Sequence, residues 1–251
     1  MELTDAIIII AAGIVAGFLN VVAGGGSLIT LPLLIFLGLP SAVANATNRI
    51  GIIGQNIFAV AGFSSKGVST WPYSLYLGIS AMLGAILGAR IAVDMDDRLF
   101  NRILSIIMVA VAIMIIVRPL KMLGDQQERM DRKHQIIGIL CFFGVGIYGG
   151  FIQAGVGFIM IPLLTTINRF TLVKTNSTKV FVALTYSLAA LAVFIVEDVL
   201  DWTIGLTLAV GNAIGGWIGS RWSVAKGDVW IRRVLIVTII GLSIKLWFFS
   251  S

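Results

Sequence analysis

The sequence predicts an all-α polytopic membrane protein made of two homologous repeats of five helical segments. Composition, the length of the apolar runs and an internal self-similarity predict it. The chain is 58% hydrophobic and 12% charged, with a mean hydropathy of +1.02. A soluble domain is about 45–50% apolar and about 25% charged, so the lipid bilayer is the expected surrounding. The formal charge is +6, with most of the Lys and Arg in short connections. That is the pattern of a multi-pass bacterial inner (cell) membrane protein and not of a nucleic-acid-binding surface. Cys141 is the only cysteine and cannot close an internal disulfide. The start, "MELTD", is acidic and runs into apolar sequence, so the first segment reads as a retained helix.

The segments follow from apolar length, because about 20 residues at 1.5 Å each cross a hydrocarbon core of about 30 Å. Repeat 1 (1–120) places them near 5–22, 27–38, 43–64, 71–93 and 101–120. A charged linker, 121–135, carries the single histidine, His134, in a solvated setting. Repeat 2 (136–251) places segments near 136–153, 156–168, 175–197, 202–223 and 230–249. Segments 27–38 and 156–168 are too short to span alone. Each is entered through glycines, "AGGGS" and "AGVG", and carries Pro32 or Pro162, as broken or re-entrant helices do. Eight to ten transmembrane segments result, according to whether the short ones span or re-enter.

The repeat is read from matches in one order. Gly25–Ile50 aligns without gaps onto Gly155–Val180, pairing Pro32 with Pro162, Thr47 with Ser177 and Arg49 with Lys179. "GAILGAR" at 84–90 matches "GGWIGSR" at 215–221, "DRLFNRIL" matches "DVWIRRVL", and "GFLN" matches "GFIQ", pairing Asn20 with Gln153. Loop charge alternates from an external N-terminus, which favours inverted repeats with a site at their interface. Parallel repeats of an eight-span chain are the alternative.

All twelve Asp and Glu fall in loops or at segment ends. Cation carriers and proton relays usually need intramembrane carboxylates, and no His, Cys or carboxylate cluster is present to hold a metal or run hydrolysis. The sequence therefore reads as a non-enzyme without metal or cofactor, and "DMDD" at 94–97 reads as a solvated loop. The polar residues inside apolar sequence are Asn20, Asn45, Thr47, Asn48, Arg49, Gln55, Asn56, Gln153, Asn176, Ser177, Thr178, Lys179, Thr185 and Tyr186. They are groups able to donate, plus two cations. A buried charge costs about 2.5–3.5 kcal/mol on insertion scales, and a bound anion would neutralise it.

The predicted substrate site follows. Arg49 and Lys179 attract the anion, while Thr47, Asn48, Asn176, Ser177 and Thr178 hydrogen-bond its oxygens. The amides of Gly25, Gly26, Gly155 and Gly157, with Asn20 and Gln153, complete a neutral donor shell at positive helix ends. The simpler reading is that both cations bond exposed carbonyls or snorkel to an interface. Arg90 and Arg221 read as snorkelling residues. Gly13/Gly17, Gly84/Gly88 and Gly215/Gly219 read as helix-packing pairs. Trp71, Trp202, Trp222, Trp230 and Trp247 read as an aromatic belt.

"AGFLNVVAGGGSLITLPLLIFLGLPSAVANATN" and the later "GGFIQAGVGFIMIPLL" resemble the TauE/SafE family of sulfite and organosulfonate exporters over nearly the whole chain. "QAGVGF" and "NRFTLVKTNSTK" depart from the family's usual second half. The resemblance implies transport of a small sulfur oxyanion, sulfite or a sulfonate such as sulfoacetate, by a membrane carrier. An anion channel and a non-transporting membrane chaperone or assembly factor are the rival readings. A homodimer is one assembly compatible with all of them.

Overall fold

A backbone inside a bilayer must satisfy its own polar groups, and helices do so within one segment. A computed structural model describes residues 3–117 and 127–249, with side chains at 3–107, 109 and 127–238, and these residues form helices joined by short turns. The helices are α1 (Leu3–Val22), α2 (Ser27–Phe36), α3 (Ser41–Ser64), α4 (Tyr73–Val93), α5 (Asp97–Val117), α6 (Arg132–Phe151), α7 (Val156–Leu163), α8 (Leu172–Val196) and α9 (Trp202–Phe249). A π-helical turn, Leu164–Asn168, extends α7. Glycine breaks α9 at Gly227 (φ 72°, ψ −174°), which separates the limbs predicted as two segments. Residues 121–126 of the predicted linker, and the Trp247 side chain, lie outside the described residues.

Among the described residues, four helices, α1, α4, α6 and α8, are long and apolar enough to cross a membrane. At about 1.5 Å per residue, the 10 residues of α2 rise roughly half the hydrocarbon thickness. Leu83, Leu87 and Ile91 on α4, and Leu206, Val210, Ile214 and Ile218 on α9, are exposed. Such i, i+4 stripes suit lipid contact, and the polar residues lie inside instead. Trp71, Trp202 and Trp230 are exposed, whereas Trp222 packs edge-on against Phe18, with ring centroids 5.5 Å apart.

Packing crosses between the two halves of the chain. α1 and α3 pack on α9, α6 and α8 pack on α4, and α3 meets α8. Small residues permit the close crossings. A Cβ on Gly88 would lie 2.0 Å from the Ile147 carbonyl oxygen, and one on Gly215 would lie 2.1 Å from that of Ile14. Gly17, likewise, meets the backbone of Asn212.

Two carboxylates predicted in solvated loops have structural work. Asp97 Oδ1 accepts from the Ser41 amide at 3.0 Å. Asp228 accepts from the Leu172 and Val173 amides at 2.8 and 3.0 Å. Each carboxylate thereby satisfies free N–H groups at the start of α3 or α8. Loop charge signals solvent, but only the fold brings these loops to helix starts. Arg90 and Arg221 are exposed, and Arg221 stacks on Trp217 at 4.6 Å. At the start of α6, His134 Nδ1 lies 2.5 Å from Asp131 Oδ1.

Candidate functional site

A helix leaves its last carbonyls without helical partners. α1 ends inside the protein, and its carbonyls are met one by one. Leu19 O accepts from the Ala23 and Gly24 amides at 2.7 and 3.0 Å. Asn20 O and Val21 O accept from Lys179 Nζ at 3.0 and 2.8 Å. Val22 O accepts from Asn176 Nδ2 at 3.0 Å, and Asn176 Oδ1 accepts from Lys179 Nζ at 2.8 Å. The end of α6 is held in the same manner. Tyr148 O accepts from the Ile152 and Gln153 amides. Gly149 O and Gly150 O accept from the Arg49 guanidinium, and Phe151 O accepts from Asn45 Nδ2 at 2.8 Å. Arg49 Nη1 also donates to Gln153 Oε1. Thus α8 caps α1, and α3 caps α6.

The cations sit at the negative ends of helix dipoles, where positive charge is stabilised. Arg49 is 0% exposed and Lys179 3% exposed. Among the described residues, no carboxylate forms an ion pair with either. Carbonyl dipoles solvate these charges without cancelling them, so the region stays positive.

A narrow cavity lies beside Lys179. Asn20, Gln55, Asn56, Gln153, Gly157, Lys179 and Tyr186 line it, with Val156, Met160, Val180 and Ala183 as apolar wall. Its free volume admits about one water-sized guest. Of the sequence-predicted site residues, Asn20, Gln153, Gly157 and Lys179 reach this wall. Arg49 stands behind it and touches it through Gln153.

The predicted hydroxyls are engaged elsewhere. Thr47 Oγ1 accepts from the Asp201 amide at 2.9 Å. Ser177 Oγ donates to Val68 O at 3.0 Å. Thr178 Oγ1 donates to Lys174 O and meets Thr70 Oγ1 at 2.8 Å. These contacts pin the loops before α4 and α9. Asn48 Oδ1 accepts from Thr30 Oγ1 at 2.8 Å, tying α3 to α2.

The two glycine-rich breaks meet. A Cβ on Gly157 would fall 2.3 Å from Gly24 Cα, a spacing only two glycines allow. Gly24 (φ 88°) and Gly155 (φ 70°) are left-handed, where glycine carries no steric cost. Gln153 shares that region at φ 63°, held there by its contact with Arg49. Gly25 and Gly26 enter α2 while Gly155 caps α7, and neither helix start has a side-chain cap. Gly26 abuts Ala16 O and the Asn20 side chain, which folds α2 against α1.

The sequence reading left Gln55, Asn56 and Tyr186 out of the site, although it marked them as polar in apolar sequence. A periodic signal points to two of them. Tyr186 lies seven residues after Lys179, and Asn56 seven after Arg49, so each shares a helix face with its cation.

The family profile described as Sulfite exporter TauE/SafE matches residues 9–246. The chain belongs to the TauE/SafE family. Relatives named as probable membrane transporter proteins resemble it along nearly their full length. A "Probable membrane transporter protein" of Haemophilus influenzae is 28% identical over 239 residues, covering 95% of this chain and 93% of the relative. The "Probable membrane transporter protein YfcA" of Escherichia coli K12 is 29% identical over 237 residues, covering 94% and 87%. The "Probable membrane transporter protein YunE" of Bacillus subtilis is 22% identical over 259 residues, covering 93% and 95%. No solved structure matches the chain. The TauE/SafE family is a transporter family, and with these apolar helices the protein is a membrane transporter.

Proposed function

We propose that this transporter moves a small anion, sulfite or an organosulfonate such as sulfoacetate, across the bacterial inner membrane by alternating access. The observation that carries the reading is a buried ammonium, Lys179, on the wall of a polar cavity, with no carboxylate partner among the described residues. An anion entering that cavity would supply the missing counter-charge, and desolvation would strengthen the attraction. Asn20 and Gln153 bring neutral polar groups to the same wall. The positive ends of α2 and α7 favour an anion near the glycine contact.

The small volume supports a carrier over an open channel, since an oxyanion of several heavy atoms needs a wider site than this closed form offers. α7 supplies Val156, Gly157 and Met160 to the wall, so its movement against α8 would open the cavity. Reciprocal capping of α1 and α6 supports two inverted repeats that rock about the shared site. An inside-negative potential favours anion export by about 2.3 kcal/mol per charge per 100 mV, which needs no coupled ion.

The test is a binding panel on purified protein with sulfite, sulfate, sulfoacetate, taurine and carboxylate analogues. Saturable binding of sulfite or a sulfonate is expected. Failure of every anion to bind would overturn the reading.

A further inference from the structure

We infer that Asn56 and Tyr186 donate hydrogen bonds directly to the transported anion, and that Lys179 serves it by charge alone. The inference rests on the proposed anion site and assigns the contacts within it.

The argument is one of donor supply. An ammonium has three protons, and Lys179 Nζ already meets Asn20 O, Val21 O and Asn176 Oδ1. No proton is left for a guest unless the cap on α1 breaks. The Arg49 guanidinium donates through Nη1 and Nη2 to Gly149 O, Gly150 O and Gln153 Oε1, and its Nε, unpartnered among the described residues, belongs to a residue that does not line the cavity. Two side chains on the cavity wall do have unspent donors. Asn56 is 1% exposed and Tyr186 0% exposed, and Asn56 Nδ2 and the Tyr186 hydroxyl both lack a partner among the described residues. A buried unpaired donor costs about 1–3 kcal/mol, and a site that holds two such donors is prepared for an acceptor that comes and goes.

The orientation of Asn56 is set by its neighbours. Asn20 Nδ2 donates to Gln55 Oε1 at 3.1 Å, and Gln55 Nε2 donates to Asn56 Oδ1 at 3.1 Å. The relay fixes the Asn56 oxygen as acceptor and leaves its NH₂ as the free end. Donor chains of this kind polarise one another and strengthen the terminal donor. Tyr186 stands on α8, on the same face as Lys179. An anion with at least two acceptor oxygens can take both donors while facing the Lys179 charge, which describes a sulfite or sulfonate head better than a single-atom halide.

The experiment measures sulfite affinity by calorimetry, and the ligand-free melting temperature, for the full-length chain and for Tyr186→Phe, Asn56→Leu and Asn56→Asp. Tyr186→Phe removes only an unpaired hydroxyl, so melting is expected to hold or rise while affinity falls at least tenfold. Asn56→Leu should fall by a similar factor, and Asn56→Asp further, because it sets a like charge against the guest. If the leucine variant does not fold, Tyr186→Phe decides alone. Wild-type affinity in Tyr186→Phe and Asn56→Leu would overturn the inference while leaving the anion site standing. A wild-type chain that binds neither sulfite nor sulfoacetate would overturn the anion reading and this assignment together.

Discussion

Lys179→Met separates the two tasks of the buried ammonium. The substitution nearly conserves volume but removes the charge and all three donated hydrogen bonds. Asn20 O and Val21 O, now bonded at 3.0 and 2.8 Å, would lose their donor at about 1–3 kcal/mol each. Against that stands the released desolvation cost of a buried ion, several kcal/mol. The two nearly cancel, so melting in detergent should move by only a few degrees. Affinity has no such offset. At an effective dielectric of about 20 and a separation of about 5 Å, one unit charge contributes roughly 3 kcal/mol. Sulfite should bind about two orders of magnitude more weakly, read by calorimetry on the folded fraction. A Lys179→Met protein that melts lower but binds sulfite with wild-type affinity would refute the reasoning and leave Lys179 as a helix cap only.

Three further outcomes are expected. Gly157→Ala places a methyl 2.3 Å from Gly24 Cα; the forced separation should cost about 1–3 kcal/mol and suppress anion flux, and wild-type melting and flux would contradict the close contact. Asp228→Ala removes the acceptor of the Leu172 and Val173 amides and should lower stability by about 0.5–2 kcal/mol, with Asp228→Asn losing less; an unchanged melting curve would count against the cap. The hydrogen bond from His134 holds the Asp131 carboxyl below the usual carboxylate range. Its contribution is then present above the unfolded carboxylate value and lost as pH falls through the lower folded one. Amide protection at 132–135, taken relative to the intrinsic exchange rate at each pH, should fall as pH drops through that range and stay flat for Asp131→Ala.

Most of the helical framework was legible because spanning length and glycine breaks are local signals. α2 and α7 fall within the short segments marked by Pro32 and Pro162. The π-helical turn left no such mark, whereas the break at Gly227 falls in the gap between the segments predicted at 202–223 and 230–249. The buried cations were legible too, but not their partners, since helix-end carbonyls carry no sequence signature. The gap-free alignment that pairs Thr47 with Ser177 also misses a local offset. Asn45 lies four residues before Arg49, whereas Asn176 lies three before Lys179. Both spacings put amide and cation on one helix face, so the same cap is made from two registers. Thr47, Ser177 and Thr178 looked like ligands because hydroxyls flank the cations in sequence. On a helix, adjacent residues point in different directions, and these three turn to the loops.

Counterflow tests the central claim most directly. Purified protein in liposomes preloaded with unlabelled sulfite is given labelled sulfite outside. A carrier with one occluded anion site should show saturable entry that internal sulfite accelerates. Entry that is absent, or that rises linearly with concentration and ignores the internal anion, would contradict it.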